Sequence, residues 1–317
     1  MIFDWGTAAR EVAISIPWIG LGAFFAFWVH RAQGNRALTM GLYIVFGALS
    51  FFGFLYGAGG LWRDYREGVE LSRSGWTYMT AGFFAGLPLL PPTRRLLAKV
   101  IPFSPQSIPD MVGLIILMAA AAASAVQLFY STEIAESPDY GALVQQLILV
   151  VAIAFLAVGT FVVRSPREAL LRLGLVVPTL RQVVISVLLV IPTFLAAMVA
   201  SFLVSVLQPD VYDSIQGNLE EVTRNFQSVW GALAIGLTAG VGEELLFRGA
   251  IQPRYGIVFT ALVFALLHIQ YNASFILVGT FAAGVIFGIQ RQRMNTSTAI
   301  ITHALYNMIA VLLATYL

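Results

Sequence analysis

The chain lacks cysteine altogether and has a single lysine and three histidines among its 317 residues. Without cysteine it can form no disulfide, no thiol nucleophile and no cysteine metal site. Charged residues are also scarce, at 11% of the chain, whereas 59% of the residues are hydrophobic and the mean hydropathy is +0.83. These values exclude an ordinary soluble domain and predict a multi-pass membrane protein.

The small positive charge of the chain does not indicate a nucleic-acid partner. Its formal net charge is +2 and its pI is about 9.0, but the basic residues stand in short clusters between apolar runs. Clusters of this kind anchor the loops of membrane proteins. We therefore expect a lipid bilayer, and no nucleic acid, as the surroundings of this chain.

Long apolar runs recur throughout the sequence, and a helix needs roughly 17 to 25 apolar residues to cross a bilayer core. They predict an all-α fold with about ten transmembrane helices. These lie at about 12–29, 38–60, 75–92, 110–130, 141–163, 179–207, 229–250, 255–271, 274–290 and 297–316. The first run is longer than a signal-peptide core and lacks a small-x-small cleavage site, so we interpret it as a retained span. Pro88, Pro91 and Pro92 shorten the third, which could be re-entrant, and Pro192 can kink the sixth.

Basic residues alternate between the connections of these ten runs. Twelve follow odd-numbered runs and five lie on the other side, together with most of the acids. The positive-inside rule then predicts both termini outside and the basic loops in the cytoplasm. We expect a multi-pass protein of a bacterial plasma membrane.

The first five runs carry few polar groups, and we interpret them as a packing scaffold. The sequence is therefore divided into an N-terminal transmembrane extension of about five helices, residues 1–175, and a C-terminal core, residues 176–317.

Three ionisable residues interrupt the apolar stretch Gly231–Gln252, namely Glu243, Glu244 and Arg248. Charges at such depth cost about 2.5–3.5 kcal/mol each on insertion scales, so they usually mark function. Residues four apart share a helix face, which predicts a Glu244–Arg248 pair. Glu243 is rotated by about 100° around the helix axis relative to Glu244, so it lies on another face, which it shares with Phe247. Burial and the neighbouring like charge suit Glu243 to act as a general base.

Two further apolar runs carry polar residues at the same four-residue spacing. Phe264 and His268 share one face, and His303 and Asn307 share another. Such groups can simply join helices by hydrogen bonds, but six of them in the last third of the chain favour a catalytic site. Helix geometry allows all of them to line one cavity that opens to the cytoplasm.

Several intramembrane proteases are excluded by missing motifs. The sequence has no HExxH, no GxGD with a partner aspartate and no GxSG. What remains is a Glu, His, His and Asn set, which suits a water activated by carboxylate and imidazole and a polar oxyanion site. The same set could also hold a metal through Glu and two His, so the residues alone leave metal dependence open.

The ordered motifs resemble the CAAX-processing and bacteriocin-processing (CPBP, or ABI) intramembrane endopeptidases, which include the type II CAAX prenyl proteases. The three motifs are Glu243-Glu244-x-x-x-Arg248, Phe264-x-x-x-His268 and His303-x-x-x-Asn307. The resemblance covers roughly residues 179–317 and leaves the N-terminal extension uncovered. It implies a glutamate-dependent peptidase that needs no metal or other cofactor and acts on a membrane-associated protein or peptide.

The resemblance also implies a role for each residue. Glu243 is the general base on water, assisted by His268, while His303 and Asn307 form the oxyanion hole. Glu244, Arg248, Phe247 and Phe264 are supporting residues. Three alternatives stay open from the sequence: a zinc-dependent version of the protease, a non-catalytic immunity or scaffold protein, and a transporter, although the two halves show no matching broken helices.

Overall fold

A computed structural model describes residues 5–130 and 137–316, and over these residues the chain is all-α. They form fourteen α-helices, no β-strand and three short 3₁₀ turns. The helices are α1 Trp5–Ala32, α2 Arg36–Glu67, α3 Arg73–Gly86, α4 Pro91–Leu97, α5 Ile108–Gln127, α6 Tyr140–Ala157, α7 Pro166–Leu173, α8 Leu180–Leu188, α9 Val190–Leu207, α10 Pro209–Thr223, α11 Val229–Glu244, α12 Gln252–Leu266, α13 Ile276–Arg293 and α14 Thr296–Tyr316. A π-helix, Leu245–Ile251, joins α11 to α12.

Seven helical stretches within the described residues are long and apolar enough to cross a membrane. They are Arg10–Ala32, Arg36–Glu67, Ile108–Gln127, Tyr140–Ala157, Leu180–Leu207, Val229–Leu266 and Thr296–Tyr316. The all-α, multi-pass fold is thereby confirmed. The count of ten spans and the orientation built on it stay predictions. Helices α3 and α13 are outside this set, and two predicted runs fall within the stretch Val229–Leu266, where the backbone leaves helical geometry at Gly256 with φ 77°.

Prolines and polar caps determine where several helices begin and end. Helix α3 ends at Gly86, just before Pro88, and α4 begins at Pro91, where the missing amide hydrogen is harmless. The sixth predicted run is broken between α8 and α9 at Leu189. Pro192 accounts for this break, because it cannot donate to the carbonyl four residues earlier and its ring collides with that carbonyl.

The chain divides into two compact units. The first comprises the described parts of Met1–Ala26, Glu133–Leu262 and Ser274–Leu317. Its buried apolar cluster joins α6, α7 and the π-helix through Ala154, Val158, Ala169, Leu173, Leu245 and Ala250. This cluster fixes the π-helix, and with it the end of α11 where the glutamates lie.

The second unit comprises Phe27–Thr132 and Val263–Ala273, so its described residues include most of the N-terminal helices and the segment that carries His268. Its apolar cluster is formed by Val29, Ala32, Leu42, Ala85, Met111, Val112 and Ile115. A backbone hydrogen bond of 2.7 Å from Ala273 N–H to Leu128 O fixes the end of the His268 segment to the end of α5. The sequence division at residues 175 and 176 stays a prediction.

Candidate active site

Helices α11 and α14 approach each other closely because glycines replace larger residues at their contact. A Cβ atom on Gly240 would lie 2.8 Å from both the Cβ and the backbone nitrogen of Ala304, and one on Gly236 would lie 2.6 Å from the Ala304 carbonyl oxygen. Gly236, Gly240 and Glu244 follow one another at four-residue steps and share one face of α11. The same face that touches α14 therefore presents Glu244 to His303.

The helix changes its winding immediately after Glu244. Residues Leu245–Ile251 form a π-helix, and the N–H of Gln252 donates to the carbonyl of Phe247, five residues earlier. Single π-turns of this kind are rare and frequent at functional sites. A hydrogen bond of 2.9 Å from Arg172 Nη1 to the Gly249 carbonyl holds the π-helix against α7.

Glu244 and Arg248 form the ion pair that their spacing predicts. Arg248 Nε lies 3.2 Å from Glu244 Oε2, and both side chains are fully buried. The guanidinium carbon is 5.8 Å from the ring centre of Phe247 and 5.6 Å from that of Phe287. Paired charge and aromatic faces together offset the cost of removing the guanidinium from water.

The carboxylates of both glutamates lie beside the imidazole ring of His303. His303 Nδ1 lies 2.9 Å from Glu244 Oε1, and His303 Nε2 lies 4.0 Å from Glu243 Oε2. Glu243 and Glu244 leave α11 in different directions, as expected from their spacing. Their carboxylates nevertheless lie beside the same imidazole ring, one near each of its two nitrogens. Phe287 stacks on this ring at 4.8 Å and 21°, and the histidine is 4% exposed.

The hydrogen bond to Glu244 determines which nitrogen of His303 carries a proton. An ionised carboxylate only accepts hydrogen bonds, so Nδ1–H is the donor. In the neutral ring Nε2 then has a lone pair directed toward the side of Glu243. The Glu243 side chain is 24% exposed, whereas that of Glu244 is completely buried. Glu243 is therefore the more exposed of the two carboxylates, and Glu244 orients the imidazole.

Asn307 lies one turn after His303 on α14 and is half-buried. Within residues 5–130 and 137–316 its side-chain amide makes no hydrogen bond. Donor groups of this amide are consequently available to a ligand next to His303.

His268 and Phe264 belong to the second unit. The predicted helix to residue 271 ends instead at Leu266, and His268 follows in the turn before Ile269–Tyr271. His268 Nδ1 is 2.7 Å from the Phe264 carbonyl oxygen, to which it donates, so Nε2 is the accepting nitrogen. The ring contacts Phe264 at 4.5 Å and stacks on Tyr271 at 5.8 Å and 8°.

Among the described residues no cluster of three or more His, Asp or Glu side chains is arranged to hold a metal ion. The expectation of a metal-independent site stays a prediction. Sequence reasoning missed Phe287, which touches both Arg248 and His303, because a phenylalanine in an apolar helix carries no chemical signal. The four-residue spacing of Gly236 and Gly240 was a usable signal for the α11–α14 contact, since small residues at this spacing mark close helix pairs in membranes.

Comparison with known families gives one match. Residues 225–309 match the model of a family described as Type II CAAX prenyl endopeptidase Rce1-like. The matched segment contains all eight predicted site residues and ends before the last turns of α14. No curated protein and no solved structure matches the chain. Residues 225–309 are therefore similar to the Rce1-like family of type II CAAX prenyl endopeptidases, in agreement with the resemblance of the three motifs.

Proposed function

We propose that this protein is an intramembrane endopeptidase that hydrolyses peptide bonds with a water molecule activated by Glu243. The observation that carries the proposal is the arrangement of Glu243 and Glu244 on the two nitrogens of His303, at 4.0 and 2.9 Å. It joins a partly exposed carboxylate to an oriented imidazole within the segment that matches the Rce1-like family.

In the proposed reaction Glu243 takes a proton from water as the oxygen adds to the carbonyl carbon of the substrate. The resulting oxyanion receives hydrogen bonds from the Asn307 amide and from His303. When the carbon–nitrogen bond breaks, Glu243 returns the proton to the leaving amine, which leaves one new carboxylate and one new amine. The family resemblance alone assigns His268 the role of assisting Glu243 in polarising the water.

The part of His303 in this reaction requires a proton on both ring nitrogens. Nδ1 already donates to Glu244, so donation to an oxyanion must come from a protonated Nε2. In that state Arg248 and His303 are positive, Glu243 and Glu244 are negative, and the four side chains sum to zero charge. A buried group of zero net charge avoids the large cost of an isolated ion in an apolar surrounding.

The substrates that we propose are membrane-associated proteins or peptides. The matched family is described by its CAAX prenyl substrates, and a prenylated peptide is one member of the broader class. We propose a bacterial plasma membrane as the location and an active site that opens to the cytoplasm, in agreement with the distribution of basic loops.

A proteomic comparison tests this function. Membrane fractions are prepared from cells that carry the wild-type protein, Glu243→Gln or Glu220→Gln. Glu220 is an exposed glutamate on α10 and provides the matched control. We expect a set of newly formed peptide termini in the wild-type and Glu220→Gln samples and their absence in Glu243→Gln. Identical termini in all three samples would instead favour a non-catalytic membrane protein.

A further inference from the structure

A buried polar junction joins three helices beside the proposed site. Gln290 on α13 is 2% exposed. Its Nε2 lies 3.0 Å from Ser186 Oγ on α8, and 2.8 Å from both the Thr298 carbonyl oxygen and Thr302 Oγ1 on α14. One amide group therefore contacts α8 and two successive turns of α14.

Gln290 is the hydrogen-bond donor to the other groups of this junction. The Thr298 carbonyl can only accept, so the NH₂ end of the Gln290 amide must face it. The hydroxyl of Thr302 donates to the Ser186 carbonyl at 2.9 Å, and the hydroxyl of Ser186 donates to the Gln182 carbonyl at 2.8 Å. Both hydroxyl oxygens are consequently acceptors, so the two amide hydrogens of Gln290 are shared among these two oxygens and the Thr298 carbonyl oxygen.

The junction fixes the rotation of α14 next to the catalytic histidine. Thr302 directly precedes His303 in sequence, and side-chain atoms lie about 5–6 Å from a helix axis. Turning α14 by about 20° would thus move the imidazole by about 2 Å. Its Nδ1 is 2.9 Å from Glu244 Oε1, so a shift of this size would break the hydrogen bond, which is lost beyond about 3.5 Å.

Two separate contacts therefore determine where His303 lies. The glycine contact at Gly240 sets how closely α14 approaches α11, while Gln290 sets which way α14 is turned. We propose that Gln290 is a positioning residue for peptide hydrolysis, acting through Thr298 and Thr302 to hold His303 against Glu244 and Glu243. This inference rests on the proposed function, because it assigns Gln290 a role in the same site.

The test uses Gln290→Met, which keeps the length of the side chain and removes its donor, and Thr302→Val, which keeps the shape and removes the hydroxyl. Gln252→Met is the matched control, since Gln252 is also buried and donates to the Gly288 carbonyl at 2.9 Å, on α13 rather than α14. The purified proteins in lipid nanodiscs are assayed with a fluorogenic peptide that the wild-type protein cleaves. Values of kcat and KM are measured across pH.

We expect Gln290→Met and Thr302→Val each to lower kcat at least tenfold, with KM changed less than twofold. The double variant should lose no more than the worse single variant, because both changes break the same junction. Gln252→Met should retain kcat within twofold. A merely structural Gln290 would instead lower the amount of folded protein and leave the kcat and pH profile of the folded fraction unchanged, which would overturn the proposal.

A second readout separates this inference from the proposed function. The chain has three histidines, so ¹⁵N-labelled histidine gives a simple NMR spectrum in which His303→Gln identifies the His303 signals. We expect Gln290→Met to shift the Nδ1 signal of His303 away from its hydrogen-bonded value and Gln252→Met to leave it unchanged. A shift without any Glu243-dependent cleavage would support the positioning of His303 and refute the peptidase. An unshifted signal with full kcat would refute the role of Gln290.

Discussion

The contact between Gly240 and Ala304 makes the site sensitive to a single methyl group. In Gly240→Ala the new Cβ would lie 2.8 Å from both the Cβ and the backbone nitrogen of Ala304. Carbon atoms in contact prefer about 3.5–4.0 Å, so α11 and α14 must separate by about 1 Å. Backbone atoms form part of the obstacle, and a side-chain rotation cannot remove it.

A separation of about 1 Å would lengthen the His303–Glu244 hydrogen bond, now 2.9 Å, beyond the range in which it persists. Misplacement of this size reduces catalysis about 100-fold, and overpacking lowers stability by about 1–3 kcal/mol. We therefore expect kcat of Gly240→Ala to fall about 100-fold, with a moderate decrease in melting temperature. Cleavage of a fluorogenic peptide and thermal unfolding in nanodiscs measure the two effects.

Gly242→Ala is the matched control on the same helix. Its Cβ would lie 3.6 Å from Leu147 Cδ1, an ordinary contact, and would not face α14. Replacing a helical glycine by alanine is otherwise stabilising by roughly 0.5–1 kcal/mol. We expect kcat within twofold of wild type for Gly242→Ala, and equal activity of both alanine variants would refute the close-approach argument.

Three further predictions address the buried pair, a helix cap and metal dependence. Glu244→Gln removes the carboxylate that pairs with the fully buried Arg248, so unfolding should become easier by about 3–5 kcal/mol. Glu243→Gln should unfold nearly as the wild type does, and equal melting temperatures for the two variants would contradict this. The backbone N–H and hydroxyl of Ser165 donate hydrogen bonds to Glu168 and hold the pKa of its carboxyl below the usual range. The cap therefore stabilises α7 fully at pH values above the ordinary carboxyl pKa of about 4.3. This stabilisation is lost as the pH falls through the lowered pKa of the folded state. Hydrogen exchange of residues 166–173 should show that acid step in the wild type and not in Glu168→Gln. Finally, treatment with a metal chelator should leave peptide cleavage unchanged, and loss of cleavage that zinc restores would assign the site to a metalloenzyme.

Local spacing predicted those features that depend on neighbouring residues in one helix. The Glu244–Arg248 pair follows from a four-residue step, and the break at Leu189 follows from Pro192. The all-α fold follows from the length of the apolar runs. Each of these results needs only the geometry of a single helix.

Features that depend on contacts between distant segments could not be predicted in the same way. The angle between Glu243 and Glu244 on α11 suggested separate surroundings, yet the close approach of α14 brings one imidazole to both. The π-helix after Glu244 depends on packing against α6 and α7, and no residue pattern in Leu245–Ile251 requires it. Helix α12 ends before His268, although its apolar sequence continues, because apolar content alone does not determine where a helix stops.

The most direct test of the account is peptide cleavage by purified wild-type protein and Glu243→Gln in the same nanodiscs. The two side chains have nearly the same shape, but the amide cannot take a proton from water. We predict that the wild-type protein cleaves a membrane-associated peptide and that Glu243→Gln, with an unchanged melting temperature, does not. Undiminished cleavage by Glu243→Gln would contradict the assignment of Glu243 as the base and the account of the site built on it.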